Sequence, residues 1–179
     1  GCGLIPVTIL NEIFRQAKDS RIAYNAKNIN EDNSALDYGE DFQFVKCKTQ
    51  EEAADLICRI FCDQVQKNGV EHVQILSPYR TDGLASVDNL NRCIREMVNP
   101  ITGDILDLKA GNRFFRIGDK VMQTKNNAKA SNGDIGFIRK MERNEKSGMK
   151  ITIEFSDSRI AEYGLEDMGN IELAYATTI

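Results

Sequence analysis

The stretch FRIGDKVMQTKN, residues 115–126, marks the point where the pattern of this 179-residue sequence changes. Before it, apolar segments of strand length alternate with segments in which apolar residues recur at helical spacing. From Lys120–Thr124 onward, short apolar strands follow one another and are linked by tight polar turns such as Asn132-Gly133-Asp134. The sequence therefore predicts an α/β part followed by a compact β module.

The segments before residue 110 predict three strands, each followed by a helix. The predicted strands are Val7–Leu10, Phe42–Cys47 and Val73–Leu76. Apolar residues at helical spacing predict the helices, over residues 20–29, 49–68 and 87–97. Thr49 and Glu52 form a capping box at the start of the second helix. This alternation is typical of a parallel sheet with right-handed crossovers.

The segments after residue 110 predict strands without helices between them. They are Lys120–Thr124, Gly136–Met141, Lys150–Phe155, Arg159–Tyr163 and Ile171–Thr177. Short strands at this spacing, roughly fifty residues in all, are typical of a small and strongly bent β-barrel.

The composition is that of a globular domain. Hydrophobic residues make up 41% and charged residues 28% of the chain, which excludes a disordered or a membrane-spanning protein. The apolar runs are too short for a membrane span or a signal peptide, so we expect no membrane partner. Because the chain begins with Gly1 and still reads as a strand over residues 173–179, we expect it to be a piece of a longer polypeptide.

The five cysteines allow two interpretations. Cys58 and Cys62 are four residues apart and would share one face of a helix, as metal ligands can. The chain has one histidine and no C-x-x-C pair, which favours buried free thiols and no metal site. Free thiols indicate a reducing compartment, so we expect a cytoplasmic protein.

The charge is unevenly distributed along the chain. The formal net charge is −4, but residues 111–150 contain ten Lys or Arg and four Asp or Glu. A basic segment in an acidic chain is a weak sign of a polyanionic partner. Ordinary solvated strand faces produce the same pattern, and the sequence leaves both interpretations open.

Arg15 lies in the segment ILNEIFRQA, residues 9–17, between a predicted strand and helix-forming sequence. Arginine stays protonated and its planar fork can bind two phosphate oxygens, so a cation at such a junction can reach a bound phosphate. Alternatively, Arg15 pairs with Glu12 or Asp19 on a helix face, as many surface arginines do.

Four segments, taken together and in this order, resemble one family of DNA helicases. They are ILNEIFRQA at 9–17, ILSPYR at 75–80, FRIGDKVMQTKN at 115–126 with NGDIG at 132–136, and LAYATTI at 173–179. Each is short, but jointly they extend across nearly the whole chain. The sequence resembles the C-terminal motor region of RecD-like helicases of superfamily 1, the exodeoxyribonuclease V alpha-subunit type.

The resemblance implies an α/β fold: a RecA-like parallel-sheet domain of the P-loop NTPase type that lacks its P-loop half. Residues 1–109 would form this second motor domain, completed by a strand at 171–179. Residues 110–170 would form an inserted small β-barrel of the Src-homology-3 type. The implied protein partners are the missing N-terminal motor domain of the same chain and other exodeoxyribonuclease V subunits.

The resemblance also gives Arg15 the catalytic role of contacting the γ-phosphate of ATP, with Gln16 beside it at the nucleotide. Such an arginine accelerates phosphoryl transfer by about 10³–10⁵ in the best-known cases. ATP and Mg²⁺ would be cofactors of the full-length enzyme, because this sequence has no G-x-x-x-x-G-K-[ST] loop to hold them. Lys27 departs from the family, in which a histidine is usual at this point.

Single-stranded DNA is the implied nucleic-acid partner. The candidate contacts are Pro78, Tyr79, Arg80, Lys125, Asn126, Asn132, Gly133, Thr177 and Thr178. Tyr79 and Arg80 follow a predicted strand at the edge where α/β sheets bind ligands, so Tyr79 can stack on a base and Arg80 can bind a phosphate. Alternatively, Tyr79 packs beneath its own loop, and the two threonines belong to a frayed end.

We therefore expect part of an ATP-dependent 5'-to-3' DNA helicase of DNA repair or recombination, inactive as an isolated fragment. The alternative is a non-catalytic nucleic-acid-binding or protein-interaction module, in which the β module carries the function. A small-molecule enzyme with its site near Tyr79 has no recognisable nucleophile, metal cluster or glycine-rich loop in its favour.

Overall fold

The computed structural model describes residues 20–103, 107–144 and 148–178. The helices are α1 (Arg21–Asn30), α2 (Gln50–Asn68) and α3 (Val87–Val98), with short 3₁₀ helices at Val70–His72 and Asp167–Asn170. The strands are β1 (Ile75–Ser77), β2 (Leu108–Ala110), β3 (Arg113–Phe115), β4 (Lys120–Gln123), β5 (Ile135–Asn144), β6 (Gly148–Phe155), β7 (Ile160–Gly164), β8 (Ile171–Leu173) and β9 (Ala176–Thr178). The chain divides into two compact units between Lys46 and Cys47.

In the first unit, helix α1 is joined to the loop that follows it. Ser20 caps the helix by accepting a hydrogen bond from the Ile22 amide at 3.2 Å. The buried side-chain amide of Asn25 donates to the Asp37 carbonyl at 2.7 Å and accepts from the Asp37 amide at 2.8 Å. The predicted helix over residues 20–29 is confirmed, whereas the predicted strand Val7–Leu10 lies outside the described residues.

The predicted strand Phe42–Cys47 is wrong, because these residues form no strand. An apolar run becomes a strand only where a neighbour satisfies its backbone amides and carbonyls, and no described strand pairs with this one. Its aromatic side chains instead pack beside Tyr38, whose ring centroid lies 5.8 Å from that of Phe42 and 6.1 Å from that of Phe44.

In the second unit, the start of α2 confirms the predicted capping box. Thr49 Oγ1 accepts from the Glu52 amide at 3.1 Å, and Glu52 Oε2 accepts from the Lys48 amide at 2.7 Å. The helix ends at Gly69, whose amide donates to the Val65 carbonyl at 2.9 Å. Both ends of α2 are therefore determined by residues that the sequence makes visible.

Strands β1 and β9 pair in parallel beside α2 and α3. Ile75 lies opposite Ala176, and Ser77 lies opposite Thr178. The core beside them is built from buried side chains of both helices, of Tyr175 before β9 and of β9 itself. They are Ala54, Phe61, Leu90, Ile94, Tyr175 and Ala176. This parallel pair is the part of the predicted α/β sheet that the described residues contain, and a larger parallel sheet stays a prediction.

The β module is a five-stranded antiparallel sheet with the strand order β7-β6-β5-β4-β8, and β2 and β3 form a separate hairpin. The buried core of the module includes Phe115, Val121, Ile138, Ile151, Ile153, Phe155, Tyr163, Met168 and Ile171. Among the described strands, β7 and β8 end the sheet and do not pair with each other. Closure into a barrel therefore stays a prediction.

The predicted strand Ile171–Thr177 is in fact two strands with different partners. β8 pairs antiparallel with β4, whereas β9 pairs with β1. Asn91 of α3 fixes the turn between them: its side-chain amide donates to the Ala176 carbonyl and accepts from the Ala176 amide, both at 2.9 Å. The predicted domain boundaries at 109/110 and 170/171 stay predictions.

The carboxylate of Asp119 connects α3 to the antiparallel sheet. Its side chain is fully buried, in the turn that leads into β4. It accepts hydrogen bonds from Arg95 Nε (2.9 Å), Asn99 Nδ2 (2.9 Å), the Arg116 amide (2.8 Å) and the Tyr175 hydroxyl (3.3 Å). Gly118 lies in this turn with φ of 90°, a conformation that favours glycine.

Lys120 joins the same turn to the segment between α2 and β1. Its side chain is buried, and its ammonium donates to the carbonyls of Val70 at 3.1 Å and Val73 at 2.8 Å. Burial lowers the pKa of the Lys120 ammonium to about 8, although the nearby Glu71 carboxylate opposes the shift. The lysine is therefore a pH-sensitive part of the packing.

Replacing Lys120 by methionine tests this description. The pKa of Lys120 is about 8 in the folded chain against an ordinary value of 10.5 when unfolded. Below pH 8 the lysine is charged in both the folded and the unfolded chain, so the folded chain bears the full cost of burying the charge. Between pH 8 and pH 10.5 the unfolded chain binds more protons than the folded chain, so the free energy of unfolding rises with pH. The free energy of unfolding, measured in urea, should rise by up to about 3 kcal/mol more for the wild type than for Lys120→Met between these two pH values.

The control is Lys150→Met, because Lys150 lies in the same sheet but its pKa is raised by a hydrogen bond to Glu162. Between pH 8 and pH 10.5, the free energy of unfolding of the wild type should not rise relative to that of Lys150→Met. A free-energy difference between wild type and Lys120→Met that does not change with pH would contradict the burial of the ammonium.

Candidate nucleic-acid interface

The loop after β1 is fixed by hydrogen bonds to its own backbone and to α3. Ser77 Oγ accepts from the Tyr79 amide at 3.2 Å. The carbonyls of Tyr79 and Arg80 accept from the amides of Val87 and Asp88, at 2.8 and 3.1 Å. The first turn of α3 therefore positions this loop.

The parallel pairing brings the end of β9 beside this loop. Because Ser77 lies opposite Thr178, β1 and β9 end at the same edge of their sheet. Thr177 is buried and Thr178 is exposed, and both belong to a paired strand and not to a frayed end. The structure thus brings together four of the candidate residues, Pro78, Tyr79, Arg80 and Thr178.

Tyr79 is available for stacking. Its side chain is 51% exposed, so the alternative in which it packs beneath its own loop does not describe this structure. A half-exposed aromatic ring on a fixed loop is the arrangement that stacks on bases of single-stranded nucleic acid.

Arg80 is already paired. It forms an ion pair with Glu172 of β8, and its Nε lies 3.6 Å from Asp88. Glu172 also accepts a hydrogen bond from Arg113 Nη2 at 2.7 Å. A phosphate can bind Arg80 only in competition with these carboxylates.

Arg80, Asp88, Arg113 and Glu172 line an open groove of about 280 Å³ between α3, the β2–β3 hairpin and β8. Arg92 and Phe114 also line it, although neither was a candidate from the sequence. Arg92 forms no ion pair within the described part of the chain, and Phe114 is 48% exposed. The sequence signal is the pair Phe114-Phe115, because neighbouring residues of a strand point to opposite faces, and here Phe114 is exposed and Phe115 is buried.

The loop between β4 and β5 brings the remaining candidates together. Asn126 Oδ1 accepts from the Asn132 amide at 2.7 Å, and the Gly133 amide donates to the Gln123 carbonyl at 2.9 Å. Gly133 has φ of 91°, which glycine tolerates better than other residues. Lys125 is exposed, so its ammonium and the exposed amide of Asn132 are the groups that this loop offers to a ligand.

Strand β8 contacts both loops. Glu172 in β8 pairs with Arg80, and the Asn170 carbonyl just before β8 accepts from the amide and the hydroxyl of Thr124, at 2.8 and 3.0 Å. The two groups of candidate residues are therefore anchored to the same strand.

In the described part of residues 111–150, most of the cations are buried or paired with acids. Arg116 and Lys120 are buried. The other paired cations and their partners are Arg113–Glu172, Lys129–Asp167, Arg139–Glu154, Lys140–Glu142 and Lys150–Glu162. The excess of Lys and Arg in residues 111–150 is thus largely offset by acids, which favours the interpretation as ordinary strand faces.

Arg15 and Gln16, the nucleotide candidates, lie outside the described residues. Within the residues that are described, no group of three His, Cys, Asp or Glu side chains could hold a metal ion, and Cys58 and Cys62 are free thiols whose pKa values are raised by burial. None of the described helices combines the length and the apolar character needed to cross a membrane.

Residues 90–155, from α3 to the end of β6, match the protein family described as the ATP-dependent RecD-like DNA helicase SH3 domain. This part of the chain is similar to a helicase SH3 domain. The match includes the Asp119 turn, Arg113 and Phe114 of the groove, and the loop between β4 and β5. It supports a helicase-related role for these residues.

Two solved structures of Pif1 from Bacteroides sp are also similar to the chain. The unliganded structure has a TM-score of 0.38 at 16% sequence identity, and the matched region covers 59% of this chain and 41% of the Pif1 chain. The structure in complex with ADP-AlF4 has a TM-score of 0.41 at 16% sequence identity, and the matched region covers 93% of this chain and 41% of the Pif1 chain. The chain thus spans about two fifths of the length of these solved structures.

Replacing Tyr79 by alanine tests the stacking role. We expect affinity for fluorescent oligo(dT), measured by anisotropy, to fall about tenfold, because stacking on one aromatic side chain contributes about 1–3 kcal/mol per base. Stability should change little, because the ring is half exposed.

Tyr24 on α1 is the matched control, since its side chain is 53% exposed and it lies in the other compact unit. Tyr24→Ala should leave the affinity unchanged. Equal effects of the two substitutions, or no effect of Tyr79→Ala, would exclude a specific role for Tyr79.

Proposed function

We propose that this chain is the second motor domain, with its SH3-like module, of an ATP-dependent 5'-to-3' DNA helicase of DNA repair or recombination. The match of residues 90–155 supports the helicase context. The observation that carries the DNA-binding part is the meeting of Tyr79, Arg80 and Thr178 at one sheet edge, next to a groove lined by further arginines.

On this proposal, a single strand of DNA passes along the edge of β1 and β9 and beside the groove. Tyr79 stacks on a base, and Arg80 and Thr178 bind phosphates. Pro78 and Thr177 shape the edge, and the exposed groups of Lys125, Asn126, Asn132 and Gly133 contact phosphates and sugars. Such contacts do not read bases, so binding is independent of sequence and weakens with salt.

The nucleotide part of the proposal rests on the sequence resemblance. ATP and Mg²⁺ bind on the N-terminal motor domain of the full-length protein, and Arg15, with Gln16 beside it, reaches the γ-phosphate from this domain. Arg15 then neutralises the charge that develops on the transferred phosphoryl group. Closing and reopening of the two motor domains moves the protein along the strand. Other exodeoxyribonuclease V subunits are candidate partners in the cytoplasm.

The substitution Arg15→Ala in the full-length protein, which includes the N-terminal motor domain, tests this assignment. We expect DNA-stimulated ATP turnover to fall by about 10³, because the arginine acts on the phosphoryl group in the transition state. Folding and affinity for oligo(dT) should be retained, because Arg15 is not one of the candidate DNA contacts.

Arg59→Ala is the control, since Arg59 is an exposed arginine of α2. It should leave turnover and DNA affinity unchanged. Unchanged turnover in Arg15→Ala would refute the role of Arg15. Tight DNA binding by a full-length protein without any ATP turnover would instead favour the non-catalytic nucleic-acid-binding module.

A further inference from the structure

Glu172 is the acidic group that two arginines of the groove share. Its side chain is 16% exposed, and its two oxygens are divided between them: Oε1 accepts from Arg113 Nη2 at 2.7 Å, and Oε2 pairs with Arg80 Nη2. The arginines come from different elements, the loop after β1 and strand β3. Two guanidinium groups from separate parts of the chain therefore converge on one carboxylate.

Each of these arginines has a second anchor that does not involve Glu172. Arg113 Nη1 donates to the carbonyls of Ile171 at 3.0 Å and Gly169 at 3.3 Å. The Nε of Arg80 lies 3.6 Å from Asp88. If Glu172 turned away, Arg113 would keep both carbonyl contacts and Arg80 would keep its ion pair with Asp88, and the Nη2 groups of both arginines would be freed.

A phosphodiester fits the place that the Glu172 carboxylate occupies. Each group carries one negative charge shared between two oxygens on one central atom, which is the pattern that a guanidinium fork binds best. Arg92 and Phe114, both exposed and in the same groove, would add a cation and a stacking surface. A glutamate side chain can leave by rotation, because its exposed edge faces the open groove.

We propose that Glu172 is an internal competitor for DNA phosphate: it occupies Arg80 and Arg113 in the free protein, and a phosphate of the bound strand displaces it. The proposal deepens the proposed function and rests on it. The competition lowers the affinity for each phosphate, so that a strand bound at this groove can be released as the motor moves. It also makes Arg113 a DNA-contacting residue.

The test is the binding of fluorescent oligo(dT) to the chain carrying Glu172→Gln. The substitution keeps the shape of the side chain and removes the competing charge, so we expect affinity to rise about three- to tenfold. Glu162→Gln is the matched control, because Glu162 is an exposed glutamate of the same sheet that pairs with Lys150 at 2.6 Å. Its affinity should equal that of the wild type.

The same substitution in an Arg80→Gln, Arg113→Gln background separates displacement from a general effect of charge. Without its two arginine partners, Glu172→Gln should no longer raise the affinity, and thermal unfolding of each variant verifies that it is folded. Should the background variant be unfolded, Arg113→Gln alone serves the same purpose, with a gain smaller than in the wild-type background.

Every other outcome overturns the competitor role of Glu172. If the wild type binds oligo(dT) and Glu172→Gln binds it with equal affinity, Glu172 is not a competitor, although the chain still binds DNA. Weaker binding means that Glu172 orients the arginines for DNA. A gain that persists without the arginines, or that Glu162→Gln shares, reflects charge alone. Absence of oligo(dT) binding in every variant refutes the proposed DNA-binding function itself.

Discussion

The buried carboxylate of Asp119 is the interaction on which the described arrangement of the second unit depends. Its donors come from α3, from the turn into β4 and from the segment before β9, so one side chain joins three parts of the chain. A buried charge left without partners costs several kcal/mol, and the arrangement is therefore stable only when all three parts are in place. Because α3 also positions the loop after β1, the Asp119 contacts indirectly set the distance between Arg80 and Glu172.

Local signals made much of the fold predictable. Thr49 and Glu52 located the start of α2, and Gly133 located the turn before β5. Non-local contacts were not predictable, because they depend on which segments meet. Phe42–Cys47 has the composition of a strand but finds no described partner. The split of residues 171–178 into β8 and β9 depends on Asn91, which lies about eighty residues away.

The candidate interface shows the same division. Tyr79 and Arg80 could be chosen as candidates because they follow a predicted strand. The pairing of Glu172 with both Arg80 and Arg113 could not be predicted, because these residues are distant in the sequence. Charge counting along residues 111–150 was misleading for a related reason: the acids that neutralise many of these cations lie elsewhere in the sequence. What the groove offers to a polyanion is a few positioned arginines beside exposed aromatic rings, which suits the proposed binding and release of a single strand.

Hydrogen exchange of the chain with and without oligo(dT) locates the bound DNA strand without any substitution. We expect slower exchange of amides in residues 78–82, in the β2–β3 hairpin at residues 111–115 and in the loop at residues 124–133. We expect no change in α1 or in the turn between β6 and β7. Protection confined to α1 or to β6 and β7, with residues 78–82 and 111–115 unaffected, would contradict this expectation.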